Sequence, residues 1–183
     1  PMSALDAKLR KTVQTELRRL QKRLGTTFVL VTHDQEEALA LSDQVALMLG
    51  GKIAQLGTPR ELYDRPTTCF AAEFLGQCNL LEPSALPSGL RAALLGAQRP
   101  PHPQFLAIRP EKVRISASEG AGPARVAGTL KEAIFSGAAT QITIDLGGWE
   151  IRAEMPNGGG VHPEPGARLW IELPPEHLIP LEQ

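Results

Sequence analysis

Phe28 to Val31 form a short apolar run with no polar alternation, which ends at Thr32-His33 and passes at once into helix-start signals. Alternation is lost when neither face of a strand meets water, so the run predicts a strand over 26–32 buried on both sides, as in a parallel sheet. Asp34 is placed to cap the helix that follows, and Glu37, three residues on, can complete a capping box. His33 then falls at the carboxyl end of a parallel strand, where open α/β sheets carry their ligand chemistry. Spacing alone leaves a second reading open, that of a satisfied boundary histidine with no role.

The flanking segments extend this α/β pattern. Leu5, Leu9, Val13, Leu17, Leu20 and Leu24 recur at steps of four and three, one apolar stripe of a long amphipathic helix over 5–24. Ser3 and Asp6 have capping-box spacing at its start. Arg18, Arg19, Lys22 and Arg23 crowd its end, where the dipole favours cations, and they read as a solvated helix end before Gly25. Val45 to Leu49 predicts a second buried strand, Gly50-Gly51 a two-residue hairpin, and Lys52 to Leu56 an edge strand. Thr58-Pro59-Arg60-Glu61 is a helix start with cap, proline and glutamate in place. Pro66 stops that helix, and another from Thr67 or Thr68 carries Phe70, Phe74 and Leu75 to Gly76.

After Gly76 the composition changes. Pro83, Pro87, Pro100, Pro101 and Pro103 punctuate the chain, interrupted by an apolar patch from Leu90 to Leu95 that suits a helical turn or an edge strand equally. A boundary near 76–79 divides the chain into 1–76 and 77–183. Phe105 to Ile108 predicts a strand, and Arg109-Pro110-Glu111 a turn in which proline fixes φ and Arg109 is available for a local carboxylate. Strands are predicted over 125–135, 141–146, 149–155 and 168–173, with Gly147-Gly148 as a tight hairpin. Short alternating strands between Gly/Pro turns favour a small barrel. Phe135, Trp149 and Trp170 sit in strand positions and read as core.

Several function classes are excluded on composition. The 183 residues carry a net charge of −1, and the pI is about 6.5, against a general nucleic-acid or anionic-membrane surface. No apolar run approaches a membrane span, and the start lacks the apolar segment of a secretory leader. Cys69 and Cys78 fit no common zinc or redox spacing and read as buried or idle thiols. No His, Cys, Asp and Glu cluster has metal-ligand spacing, and His102, His162 and His177 read as solvated. The first residue is proline, which predicts processing or truncation before it.

Thr-His-Asp-Gln-Glu-Glu-Ala at 32–38 closely resembles the switch-histidine segment of ATP-binding-cassette (ABC) transporter ATPases. Pro1 to Asp6 resembles the end of that family's Walker B motif and its D-loop, in the family's order and at about its separation. The likeness continues through Gly-Lys-Ile-Ala-Gln-Leu-Gly-Thr-Pro at 51–59 and Phe-Ala-Ala-Glu-Phe-Leu-Gly at 70–76. Ala-Ile-Arg-Pro-Glu-Lys-Val at 107–113 resembles the signature of the TOBE domain, an OB-like β-barrel appended to importer ATPases.

The resemblance implies an α/β plus all-β chain, the C-terminal half of an ABC nucleotide-binding domain followed by a TOBE barrel. It implies an importer ATPase subunit, most similar to polyamine and ferric-iron types. That subunit would use ATP and Mg2+, dimerise with a second ATPase subunit, and sit beneath membrane permease subunits on the cytoplasmic face. His33 takes the place of the switch histidine that contacts the γ-phosphate and the nucleophilic water. Asp6 takes that of the D-loop aspartate reaching across the dimer, with Ser3 a lesser candidate in the same loop. Asp6 also reads as a plain helix-start residue. The family's catalytic glutamate would directly precede Pro1, and no Gly-x-x-x-x-Gly-Lys-Ser/Thr loop or LSGGQ-type signature occurs in the chain. The resemblance therefore predicts a fragment that binds no cofactor and does not hydrolyse ATP alone. A rival expectation, from another class, is a non-catalytic module whose barrel binds a small metabolite or partner protein. Exposed strand edges and apolar faces in the first half predict dimerisation, through helix 5–24 or swapped strands.

Overall fold

The computed structural model describes residues 7–96, 103–119, 122, 124–157 and 164–182. It divides into two compact units, Pro1–Pro66 with Phe74–Gly76, and Thr67–Glu73 with Gln77–Gln183.

The first unit holds α1 (Ala7–Leu24), α2 (Gln35–Leu41), the hairpin of β1 (Val45–Leu49) and β2 (Lys52–Gly57), and α3 (Pro59–Asp64). Gly25 closes α1 in a left-handed conformation, its N–H bonded to Gln21 O at 3.0 Å. The basic end of α1 is not merely solvated. Arg18 donates to Ala40 O at 2.7 Å, satisfying a carbonyl in the last turn of α2. Gly50 and Gly51 both have positive φ, as a two-residue hairpin between twisted strands requires. At α3 the capping box is complete: Glu61 N donates to Thr58 Oγ1, and Thr58 N donates to Glu61 Oε2.

Two expectations for this unit fail. Residues 26–32 run without helix or ladder, and no described strand pairs with them. Val29 and Val31 are 88% and 92% exposed, while Phe28 and Leu30 are about half covered. An all-apolar strand needs a pairing edge and cover on both faces. Here one face is half covered and the other is open. Likewise β1 is not buried, since only Leu47 is inside while Met48, Leu49, Ile53 and Leu56 face solvent.

The second unit is a curled antiparallel half-barrel. A five-stranded sheet runs β5 (Arg114–Ser116), β9 (Arg168–Glu172), β6 (Arg125–Phe135), β7 (Ala139–Asp145) and β8 (Glu150–Pro156). A three-stranded sheet runs β10 (Ile179–Leu181), β4 (Phe105–Ile108) and β3 (Asn79–Leu81). Ile142, Ile144, Ile151 and Ile171 alternate inward and are fully buried, the signature of one wet and one dry face. Leu90 and Leu94 enter the same core from α5 (Ser88–Leu95), which settles the ambiguous patch as a helix. Gly128 in β6 lies under β7, where an added Cβ would stand 2.5 Å from Ile144 Cγ2 and 2.8 Å from Asp145 O. Trp149 packs partly buried against the core, and Arg168 lies over the likewise partly buried Trp170 ring. Phe135, expected in the core, is exposed at the tip of the β6–β7 hairpin, beyond the reach of the opposing layer.

Residues 69–73 of α4 (Cys69–Phe74) pack on this β unit: Ala72 joins a cluster with Ala107 and Leu181. The buried Arg109 donates to Ala72 O at 2.8 Å and Gln77 O at 3.2 Å, so the Arg-Pro-Glu turn fastens the helix to the sheet. Asn79, 7% exposed, does the same between sheets. Its Nδ2 donates to Ile108 O and Arg152 O, and its Oδ1 accepts from Arg152 N.

Candidate functional site

The site is built on the six residues that run from Thr32 into α2. Asp34 adopts an extended conformation and caps the helix, its Oδ1 accepting from Glu36 N at 2.9 Å and Glu37 N at 3.2 Å. The reciprocal arm passes through a threonine: Asp34 N donates to Thr32 Oγ1 at 3.0 Å, and that hydroxyl donates to the Glu37 carboxylate at 2.9 Å. Glu37 is 6% exposed. His33 lies between these pinned residues, at a bend, with its side chain exposed. An open depression beside it is lined by His33, Asp34, Gln35 and Glu36.

The spacing had indicated Asp34 as cap and Glu37 as its partner. Thr32 as the intermediary was missed, although a hydroxyl two residues before an Asp cap is a local signal for it. Asp6 and Ser3 lie outside the described residues, as do His102 and His162. The chemistry available at the depression is one imidazole flanked by two carboxylates. That suits a hydrogen-bond donor to one phosphate oxygen from a fixed backbone. Among the described residues, the side chains that line the depression are this imidazole, the two carboxylates and the Gln35 amide.

The β unit offers a second concavity of about 430 Å³, whose lining includes Gln77, Pro110, Glu132, Gln141 and Arg152. Lys131 and Glu150, also in its wall, are ion-paired with each other. Burial pushes the Cys69 and Cys78 thiols up from the usual cysteine range. No group of three or more His, Cys, Asp or Glu able to hold a metal occurs among the described residues. Among them, no helix is long and apolar enough to cross a membrane.

Residues 106–181 match the TOBE domain family. Over 97% of its length the chain is 40% identical to the spermidine/putrescine import ATP-binding protein PotA of Acidothermus cellulolyticus, covering 51% of that protein. It is 38% identical over its full length to the protein of the same name from Frankia alni, covering 45% of it. A third such protein, from Nostoc sp., is 47% identical over 63% of this chain and 34% of its own length. The chain thus spans about half the length of the curated relatives it matches. Among solved structures a weak likeness, TM-score 0.37 at 17% identity, relates 41% of this chain to 58% of a chain of the cytoplasmic molybdate-binding protein ModG.

Proposed function

We propose that this chain, which fits the C-terminal part of an ABC-transporter ATP-binding subunit with its TOBE domain, is a piece of the ATP-hydrolysing subunit of a polyamine importer. The observation that carries the reading is the match over 97–100% of this chain, at 36–40% identity, to subunits named for spermidine and putrescine import. In this reading residues 1–76 belong to the ATPase domain and 77–183 form the linker and TOBE domain.

ATP, with Mg2+, supplies the phosphoryl group in the whole subunit. His33 donates a hydrogen bond from its exposed imidazole to the terminal phosphate and steadies the attacking water, because phosphoryl transfer needs positioning and charge stabilisation above all. Asp6 and, to a lesser degree, Ser3 are assigned to the contact across a dimer of ATPase subunits. The subunit works against membrane permease components on the cytoplasmic face. The chain itself contains no Gly-x-x-x-x-Gly-Lys-Ser/Thr sequence, and on that ground it is proposed to be inactive alone.

The test is ATP hydrolysis by the complete subunit, by its His33→Ala variant and by the 183-residue chain. The expected result is activity in the first, about a 100-fold lower kcat in the second, and none in the third. A His33→Ala subunit that keeps its rate refutes the assignment of His33.

A further inference from the structure

We infer that Thr32 and Glu37 are positioning residues for His33, acting through a side-chain relay that fixes the backbone on both sides of the imidazole. The inference rests on the phosphate-contacting role proposed above. Among the described residues of the first unit, Glu37 is the buried charged side chain. A carboxylate taken out of water is unfavourable unless bonded, and an apolar residue would fill a buried helix face at less cost. What the carboxylate provides is an acceptor for the Thr32 hydroxyl at 2.9 Å.

That bond orients the hydroxyl so that its oxygen faces the Asp34 N–H, 3.0 Å away. The Thr32-to-Asp34 bond spans residue 33 and closes a ring around its backbone. Asp34 is held in turn by Glu36 N and Glu37 N on its side chain, and by Ala38 N on its carbonyl at 3.1 Å. Residues 32 and 34 are thus both tied to the first turn of α2. His33, between them, has its Cα–Cβ direction set while its ring stays exposed. A simple helix cap needs only Asp34, whereas the relay adds a constraint whose product is the placement of residue 33.

The experiment uses Glu37→Leu, which keeps bulk and removes the acceptor, Thr32→Val, which removes the hydroxyl, and Glu37→Gln, which keeps a carbonyl acceptor. In the 183-residue chain, backbone order parameters for His33 and Asp34 are expected to fall from about 0.85 to below about 0.6 with Glu37→Leu and with Thr32→Val, and to recover with Glu37→Gln. In the complete subunit the first two are expected to lower kcat by about 10- to 100-fold, as a misplacement of about 1 Å can, with little change in KM. In a His33→Ala background Glu37→Leu is expected to add nothing, because both act on one group. Unchanged order parameters in Thr32→Val, or a kcat loss that adds to that of His33→Ala, overturns the inference. If His33→Ala leaves kcat intact, the role proposed for His33 is what falls, and the order parameters alone decide whether the relay holds residue 33.

Discussion

Replacing Asn79 with alanine is expected to open the seam between the two sheets of the β unit. The side chain makes three hydrogen bonds to main chain, at 2.7, 2.8 and 3.3 Å, linking β3 to β4 and to β8. At roughly 1 kcal/mol net for each, the loss is about 3 kcal/mol, with the Arg152 N–H left short of an acceptor. Trp149 and Trp170 are the chain's only tryptophans and both lie in this unit, so their fluorescence follows its unfolding alone. With a urea dependence of about 1.5 kcal/mol per molar, the midpoint is expected to fall by ~2 M at unchanged slope. Asn79→Asp separates hydrogen bonding from packing. Its carboxylate can still accept from Arg152 N but faces the carbonyls of Ile108 and Arg152, so its folded pKa should rise. A group with a raised folded pKa binds more protons when folded. The deficit relative to the parent chain should therefore be largest at pH 7 and shrink as pH falls through that folded pKa. A midpoint shift in Asn79→Ala under about 0.5 M, or an Asp variant whose deficit grows on acidification, would refute the clasp.

Two further outcomes follow from the same unit. Gly128→Ala places a methyl 2.5 Å from Ile144 Cγ2 and Leu146 Cδ2, and is expected to cost about 3 kcal/mol by forcing β6 off β7, read from the same tryptophan transition. Glu172 is held below the usual carboxylate range chiefly by its hydrogen bonds from Arg125 at 3.0 and 3.1 Å, with Arg114 assisting. A depressed folded pKa gives stability that is present above the unfolded value of about 4.3 and is lost as pH falls through the folded one. Glu172→Gln is thus expected to be about 1 kcal/mol less stable at pH 7, with the gap closing at acid pH. A gap independent of pH would show that the charge is not what matters.

Much of the fold is legible in the sequence. The 3.6-residue stripe of α1, the cap at Asp34, the Gly50-Gly51 and Gly147-Gly148 turns and the Thr58 capping box are local. Each depends on residues a few positions apart, so their geometry follows from side-chain type and spacing. The alternation of Ile142, Ile144, Ile151 and Ala153 likewise announced which face of β7 and β8 turns inward. His33 stood out for the same local reason, as the residue between an apolar run and a helix cap, and its resemblance to a switch histidine came from contiguous motif residues.

What sequence could not decide depends on partners distant in the chain. The apolar run at 28–31 announces a buried strand, yet burial belongs to whatever covers it, and no described segment pairs with it. Phe135 has the side chain of a core residue but falls at a hairpin tip past the opposing layer. Arg109 looked ready for a local carboxylate, and the structure also has it bonded to the main-chain carbonyls of Ala72 in α4 and of Gln77. Asn79 meets Arg152, 73 positions away, only because the half-barrel curls far enough to bring β8 over β3. Sequence by itself determined helices α1 to α4, the long strands of the β unit, the caps and tight turns, and the place of His33 just before α2. Tertiary structure alone decided which apolar faces are covered and which polar side chains join the sheets, because burial and long-range hydrogen bonds exist only once distant segments have been brought together.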